Sequence, residues 1–322
     1  MFTPVGIVGA GPGGAAAALK LSYLGIPCIL IDKASFPRDK VCGDAVSGKV
    51  TTLLGRLDPD MLQRFRQLAT HVDVWGIHFI PPNGKILEIP FKLDYDTSRD
   101  DAPGYVIRRM DFDNFLVEEV RKRDNIQFLE ATEVAGYEKT ENGWHLTDKS
   151  GNTIVNCQLL LVADGAYSQF SRHIAGHKKE NEHYAAAVRA YYKGVTGFHD
   201  DNFIELHFLP ELNPGYFWIF PLPNGGANVG LGVRSDFVQK RKMDLKALMD
   251  TAIASHPEIA ARFKNATMEG RLAGYGLPLG SKRRHLSGDH YMLLGDAGHL
   301  IDPSRAKGLA MPFTAVSLRQ NK

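Results

Sequence analysis

A glycine-rich turn near the amino terminus constrains the fold of this chain more than any other feature. Gly9-Ala10-Gly11-Pro12-Gly13-Gly14 follows an apolar run at residues 5–8 and opens an alanine-rich helix predicted over 15–24. A second predicted strand, 27–31, ends at Asp32. In such units the glycines permit a tight turn, close approach to a pyrophosphate and close helix packing, and the acid binds ribose hydroxyls. The order therefore predicts a dinucleotide-binding βαβ unit, for which NAD and FAD are nearly equal candidates.

A second motif of glycine and acid lies at the opposite end of the chain. Gly295-Asp296-Ala297-Gly298 directly follows the short apolar run Tyr291-Met292-Leu293-Leu294. A distant segment that returns to complete a site on the first unit is typical of a flavin-binding chain. The pair of motifs therefore favours FAD over NAD.

Composition excludes several classes of protein. The chain has 322 residues, of which 44% are hydrophobic and 23% charged, and this composition is typical of a globular protein. Its net charge of +2 gives no electrostatic reason to expect nucleic-acid binding. Three widely spaced cysteines, Cys28, Cys42 and Cys157, offer neither a disulfide framework nor metal-ligand spacing. We find no signal peptide, and no apolar run reaches the roughly 18 residues of a membrane span. We expect a cytoplasmic protein whose contact with membranes, if any, is peripheral.

The order of the predicted elements indicates an α/β fold in which a Rossmann-like FAD-binding domain carries an inserted antiparallel-sheet substrate domain. A helix is predicted over 49–68, a hairpin over 72–91 with its turn at Pro81-Pro82-Asn83-Gly84, and another helix over 109–123. We assign residues 1–70, 104–180 and 276–303 to the discontinuous FAD-binding domain, and 71–103 and 181–275 to the substrate domain.

Four further segments resemble a known group of proteins. Ala163-Asp164-Gly165-Ala166-Tyr167-Ser168-Gln169-Phe170-Ser171-Arg172, and the Gly295 motif with Asp302-Pro303, resemble flavoproteins related to hydroxybenzoate hydroxylase, whose FAD domain is of the glutathione reductase type. Pro214-Gly215-Tyr216-Phe217-Trp218-Ile219-Phe220-Pro221 is similar to the aromatic motif of the geranylgeranyl reductase family. Pro37-Arg38 and Lys40-Val41-Cys42-Gly43 resemble the loop that this family carries after its first acid.

The resemblance implies cofactor roles for particular residues. Asp296 would bind a ribityl hydroxyl, alternatively capping a helix, and Val134 would hold the adenine through its backbone. Arg109, in an R-x-x-F-D helix start, would approach the flavin, with Arg108 as the structural alternative. Asp164 could equally form a turn, and Cys42 could be an inert packed thiol. The candidate cofactor-binding residues are Gly9, Gly11, Gly14, Ala15, Asp32, Lys33, Arg38, Cys42, Gly43, Ala45, Arg109, Val134, Asp164, Gly165 and Asp296.

The aromatic motif supplies the candidate substrate residues. Tyr216, Trp218 and Phe220 alternate along a predicted strand and therefore share one face. They form either an aromatic core stripe or, as the resemblance implies, the wall of an apolar tunnel above the flavin. No side chain stands out as a general acid, so the catalytic residues are left unassigned.

The chain departs from the family pattern at its carboxyl end. After Asp302-Pro303 the resemblance implies T-G-E-G-I and further helices, whereas this chain reads Ser304-Arg305-Ala306-Lys307 and ends at Lys322. One permitted choice of codons for 304–322, read two bases later, encodes TGEGLGNAIYSGFIAAEQ. We therefore predict that the C-terminal helical part is missing and that 304–322 is a frameshifted tail, the alternative being a genuine terminus.

The leading interpretation is an FAD-dependent oxidoreductase that reduces carbon–carbon double bonds of an isoprenoid or similarly apolar small molecule. NAD(P)H, if it is the electron donor, would bind only transiently. The first alternative is a flavin-dependent monooxygenase or halogenase on the same scaffold. The second is a truncated product that binds FAD weakly and is inactive.

Overall fold

The computed structural model describes residues 1–302, and the predicted tail at 304–322 lies outside them. The described helices are α1 (Pro12–Tyr23), α2 (Gly48–Leu57), α3 (Pro59–Arg66), α4 (Arg109–Arg121), α5 (Gln169–His173), α6 (Ser235–Arg241), α7 (Leu245–Ser255) and α8 (Pro257–Ala260). The described strands are β1 (Phe2–Val8), β2 (Cys28–Ile31), β3 (Ala45–Val46), β4 (His71–Val74), β5 (Gly76–Ile80), β6 (Leu87–Pro90), β7 (Gly104–Ile107), β8 (Ile126–Leu129), β9 (Gly136–Thr140), β10 (Gly143–Thr147), β11 (Thr153–Val162), β12 (Tyr184–Lys193), β13 (Ile204–His207), β14 (Gly215–Leu222), β15 (Gly226–Arg234), β16 (Thr267–Pro278), β17 (Ser287–Gly288) and β18 (Tyr291–Leu293).

The first sheet contains the predicted βαβ unit. Its order is β17-β18-β11-β1-β2-β8, in which β18, β11, β1, β2 and β8 run parallel, and the β9–β10 hairpin pairs with β11. Parallel strands are covered on both faces, which explains why all four residues of β2 are apolar and buried. The small side chains of α1 are buried from Pro12 to Leu19 and let the helix pack closely on the sheet.

The second sheet has seven strands in the order β16-β12-β15-β14-β13-β5-β6, antiparallel except for the β13–β5 pair. The turn at Pro223-Asn224-Gly225-Gly226 connects β14 to β15, and Asn224 and Gly225 both adopt positive φ there. Helix α7 contributes Leu245 and Met249 to the apolar cluster on one face of this sheet. Trp218 and Phe220 belong to the cluster on the opposite face.

A sheet of three strands, β3-β7-β4, completes the described fold and corrects one prediction. The hairpin predicted over 72–91 forms only as β5 and β6, because β4 pairs with β7 in this small sheet. The chain passes from one sheet to the other at the buried residue Trp75. Alternation of apolar residues predicts a strand but does not identify its partner.

The helix predicted over 49–68 is also corrected, because two helices occupy this segment. Helix α2 ends before Asp58, whose side chain accepts hydrogen bonds from the backbone of Asp60 and Met61 and so caps α3. Pro59 has no N–H to continue the α2 hydrogen-bond pattern but suits the first turn of a new helix. In the described part of the chain, no helix combines the length and apolar character that crossing a membrane requires.

Candidate functional site

A cavity of about 1100 Å³ lies between the first sheet and the seven-stranded sheet. One side is formed where the parallel strands end, at residues such as Val8, Ile31 and Leu294. The opposite side is an apolar surface of the seven-stranded sheet. Ligands of open α/β sheets bind at the carboxyl ends of the strands, so this is the expected position for a nucleotide.

The glycine turn after β1 has the geometry that a dinucleotide requires. Gly9 has φ +100°, and a Cβ there would lie 2.4 Å from the Ala163 carbonyl oxygen. A Cβ on Gly14 would lie 1.8 Å from the Gly9 carbonyl oxygen, so these two glycines let the backbone segments approach each other. Gly11 is different, because the nearest atom to its Cβ position would be an Arg38 nitrogen at 3.6 Å. Gly11 therefore leaves backbone at the start of α1 open to the cavity, where a phosphate can approach.

Asp32 lies at the end of β2, as predicted, and is 8% exposed. Its carboxylate accepts hydrogen bonds from the backbone of Ala10 at 2.7 Å and of Ala34 at 2.8 Å. These bonds fix the acid beside the glycine turn, and a carboxylate has further lone pairs for ribose hydroxyls. The exposed side chain of Lys33 borders the same part of the cavity.

Two arginines that line the cavity, Arg38 and Arg109, share one buried carboxylate behind it. Arg109 forms a bidentate pair with Asp113, at 2.7 Å and 2.8 Å, and Arg38 reaches the same carboxylate at 2.9 Å. Arg109 lines the cavity, whereas Arg108 pairs with Glu269 at 2.6 Å and is not a lining residue. This placement favours Arg109 for the proposed approach to the flavin.

Lys40 is a lining residue that the sequence analysis did not select. Its ammonium group pairs with Asp296 at 3.0 Å, which ties the loop after β2 to the end of β18. Burial lowers the pKa of Lys40, but the Asp296 carboxylate, together with smaller effects of Tyr275 and Cys42, raises it overall. The Lys40-Val41-Cys42-Gly43 segment was the available sequence signal.

Asp44 is a second residue that the sequence analysis missed. It is fully buried, and its carboxylate accepts hydrogen bonds from Tyr191 at 2.8 Å, Asn228 at 2.7 Å and the Arg109 backbone at 3.2 Å. Burial raises its pKa to about 6, against the opposing effect of the nearby Arg189 charge and these donors. Asn228 also accepts a bond from the Trp218 indole at 2.9 Å, so a continuous network joins the loop to the aromatic wall.

The aromatic residues of β14 form part of the apolar side of the cavity. Tyr216, Trp218 and Phe220 all line it, with successive ring centroids 6.1 Å and 6.2 Å apart. Burial raises the pKa of Tyr216 to about 12. Trp218 fits because Gly230 lies opposite it on β15; a Cβ on Gly230 would be 2.3 Å from the indole ring.

The structure brings almost all of the sequence-predicted residues to one cavity. Gly14 and Ala15 do not line it: Gly14 packs beneath Gly9, and Ala15 is buried in the core around α1. The candidates that line the cavity are Gly9, Gly11, Asp32, Lys33, Arg38, Cys42, Gly43, Ala45, Arg109, Val134, Asp164, Gly165, Tyr216, Trp218, Phe220 and Asp296.

Comparison with known proteins defines the class. The family model of an FAD binding domain matches residues 2–312. The menaquinone reductase of Mycobacterium tuberculosis is 28% identical over 311 residues, which are 94% of this chain and 72% of that protein. The digeranylgeranylglycerophospholipid reductase of Methanococcus vannielii is 26% identical, over 95% of this chain and 72% of that protein.

Solved structures share the fold. A geranylgeranyl bacteriochlorophyll reductase-like protein from Thermoplasma acidophilum superimposes with a TM-score of 0.82 at 24% identity, over 98% of this chain and 76% of that chain. The flavin-dependent brominase Bmp2 superimposes with a TM-score of 0.79 at 21% identity, over 98% and 77%.

The chain belongs to the FAD-binding-domain family that the matching model describes. It is an FAD-dependent oxidoreductase, and the predicted fold class and the resemblance to geranylgeranyl reductases are confirmed. The residues around the glycine turn fit FAD, because they leave backbone open at Gly11 and place a buried carboxylate, Asp32, beside it.

Proposed function

We propose that this protein reduces carbon–carbon double bonds of an isoprenoid or similarly apolar molecule. The observation that carries the proposal is the continuity of one cavity from the glycine turn to an apolar sheet face. The lining side chains of that face include Ile77, Phe79, Leu206 and Trp218. An extended hydrocarbon chain can bury its surface there while one end meets the cofactor.

The names of the relatives support the same substrate class. They are reductases of menaquinone and of digeranylgeranylglycerophospholipid, both of which carry isoprenoid chains. The molecules named for these relatives differ in their polar group but share an isoprenoid chain, which matches the apolar side of this cavity. The substrate class proposed here is therefore defined by its hydrocarbon chain.

The roles proposed for the cofactor-binding residues follow from their positions. Bound FAD, when reduced, supplies a hydride. The turn at Gly9, Gly11 and Gly14 would hold the pyrophosphate, Asp32 the ribose and Asp296 the ribityl chain. The remaining candidates that line the cavity would border other parts of FAD, with Val134 at the adenine and Arg109 at the isoalloxazine; they are Lys33, Arg38, Cys42, Gly43, Ala45, Arg109, Val134, Asp164 and Gly165. Ala15, which is buried in the core around α1, would act by packing behind the glycine turn.

We further propose NAD(P)H as a transient electron donor. The described part of the chain has one glycine turn of the dinucleotide-binding kind, after β1, and we assign it to FAD. A second nucleotide would therefore bind without a Rossmann unit of its own. Anaerobic mixing with NADH or NADPH tests this, since bleaching of the flavin absorbance by either one identifies the donor.

Product analysis tests the main proposal and separates it from the alternatives. The chemically reduced holoprotein, incubated without oxygen, should convert a prenyl substrate to a product with two more hydrogens per saturated double bond. A product that appears only with oxygen and carries a hydroxyl group, or a halogen when halide is supplied, would indicate the monooxygenase or halogenase alternative. A protein that retains no FAD and forms no product would indicate the inactive alternative.

We also propose that the protein acts on the cytoplasmic side of a membrane and contacts it peripherally. All three cysteines are free thiols, as expected in a reducing compartment. Ile86, Leu87 and Leu93 are exposed, and the neighbouring Ile89 and Phe91 are both partly exposed and part of the cavity lining. This continuity would give a lipid-borne substrate a route into the cavity. We expect the protein to co-float with anionic liposomes, and a double variant, Ile86→Ser with Leu93→Ser, to co-float less.

A further inference from the structure

Arg189 differs from every other side chain that the seven-stranded sheet contributes to the cavity. Among the described residues of that sheet, it is the cavity-lining side chain that carries a full charge, and it is 4% exposed. Its neighbours on the lining face, such as Ala187 and Leu206, are apolar. A charged group kept at such a position requires a partner or a function.

The guanidinium is held in place mainly by stacking. Its central carbon lies 4.0 Å from the centroid of the Tyr191 ring, two residues along β12. Tyr191 in turn is fixed by its hydrogen bond to the buried Asp44. Stacking on an aromatic ring orients a guanidinium without occupying its N–H donors.

The hydrogen bonds of Arg189 are long and incomplete. One terminal nitrogen lies 3.4 Å from both oxygens of Asp39, an exposed side chain, and 3.3 Å from the Lys40 carbonyl oxygen. Charge-assisted bonds are usually 2.7–2.9 Å long, which is the range of the Arg109–Asp113 pair. The Nε atom of Arg189 is buried and has no hydrogen-bond partner among the described residues.

The charged groups around Arg189 place it at the boundary between the two parts of the cavity. Asp39 and Lys40 belong to the loop that lines the cofactor side, and Lys40 is already paired with Asp296. Asp44 acts on Arg189 electrostatically and is itself occupied by three donors. An apolar chain lying along the sheet would therefore meet, where it approaches the cofactor, a guanidinium with one unpartnered N–H and only long hydrogen bonds on the other.

We propose that Arg189 binds the oxygen-bearing polar end of the apolar substrate. This inference rests on the proposed function and adds to it that the substrate is amphipathic, with phosphate or carbonyl oxygens next to the reactive part of its chain. Either oxygen type would complete the hydrogen bonding of the guanidinium. Arg189 is then a determinant of specificity and of the direction in which the chain enters.

Ligand binding to the oxidised holoprotein tests this without turnover. Quenching of tryptophan fluorescence, with Trp218 in the cavity wall, would measure Kd for geranylgeranyl diphosphate, a prenylated naphthoquinone and a prenyl hydrocarbon of equal length. The variants are Arg189→Met and Arg189→Lys. The matched control is Arg108→Met, because Arg108 also contacts the Tyr191 ring, at 4.5 Å, but does not line the cavity.

We expect Arg189→Met to weaken binding of at least one oxygen-bearing ligand about tenfold or more, which is typical for the loss of a charge-assisted hydrogen bond. Hydrocarbon binding and FAD content should stay within twofold of the control. Weakening confined to the diphosphate, with partial rescue by Arg189→Lys, would identify a phosphate, and weakening confined to the quinone would identify a carbonyl.

Three results would overturn the inference. The first is that Arg189→Met binds all three ligands as tightly as Arg108→Met does. The second is that Arg189→Met loses FAD but keeps its affinity for the ligands. The third is that the wild type binds the hydrocarbon as tightly as it binds the diphosphate and the quinone. Thermal melting of each variant separates these results from unfolding, and Arg189→Lys supplies the comparison if the methionine variant is unstable. If Arg189→Met weakens ligand binding as expected but the wild-type protein reduces no double bond, the proposed function is refuted and the role of Arg189 in binding stands.

Discussion

At the scale of single residues, Asp44 couples pH to the stability of the cavity. Its carboxylate is fully buried, and its pKa is raised from 3.8 to about 6, mainly by burial. Because the folded state favours the protonated form, the stabilising contribution is complete below about pH 4 and is lost as pH rises through 6.

Asp44→Asn tests this coupling, because asparagine does not titrate. Relative to the wild type, the variant should gain stability between pH 4 and 7, by roughly 3 kcal/mol for a pKa difference of about two units. Chemical denaturation at a series of pH values measures the difference, in which the contributions of other titrating groups cancel. If the difference in free energy of unfolding between the two proteins stays constant over this pH range, the pKa of Asp44 is not raised.

Gly11 and Gly14 also illustrate how neighbouring residues of one type have different roles. Gly14→Ala should lower stability and FAD binding together, because its Cβ would overlap the Gly9 carbonyl oxygen at 1.8 Å. Gly11→Ala should keep the melting temperature but lose FAD, because its Cβ enters the space where the phosphate approaches. Flavin content and thermal melting of the two variants provide the comparison. Full FAD binding by Gly11→Ala would contradict the assigned phosphate position.

At the scale of elements, the two faces of β14 separate substrate binding from core packing. Trp218 faces the cavity, whereas Phe217 is fully buried in the apolar cluster on the opposite face. Replacing either ring by alanine should cost about 3–5 kcal/mol of stability. Only Trp218→Ala should also raise KM, and the effect should grow with the length of the prenyl substrate.

The measurement is a comparison of kcat and KM for both variants across a series of prenyl chain lengths. Phe217→Ala is the matched control, since it loses a ring of similar size from the same strand. An equal dependence on chain length in the two variants would show that Trp218 is only a core residue.

The elements also show which parts of the fold and site could be predicted from sequence. The βαβ unit and the alternation of Tyr216, Trp218 and Phe220 depend on local spacing, so the sequence pattern is sufficient for them. The partner of β4 depends on a strand over 30 residues away in the chain, Gly104–Ile107. Local alternation contains no information about that choice.

The missed site residues have the same physical explanation. Tyr191 and Asn228 lie opposite each other only through the register of β12 and β15, and both then meet Asp44 from a distant loop. Asp113 was a partial exception, because its spacing of four residues from Arg109 on one helix makes a contact predictable.

At the scale of the whole molecule, one mainly parallel and one mainly antiparallel sheet enclose the cavity. The parallel sheet presents strand ends and the glycine turn, which suit a nucleotide. The seven-stranded sheet presents an apolar face with Arg189 at its inner boundary. We propose that cofactor and apolar substrate meet between these two surfaces.

A single-turnover experiment without oxygen tests this proposal. FAD-loaded protein, reduced and then mixed with a prenyl substrate that has one double bond, should be reoxidised as the substrate is saturated. We expect one saturated double bond per flavin reoxidised, and slower reoxidation in Trp218→Ala at equal flavin content. Reoxidation that requires oxygen, or that proceeds without loss of the double bond, would contradict it.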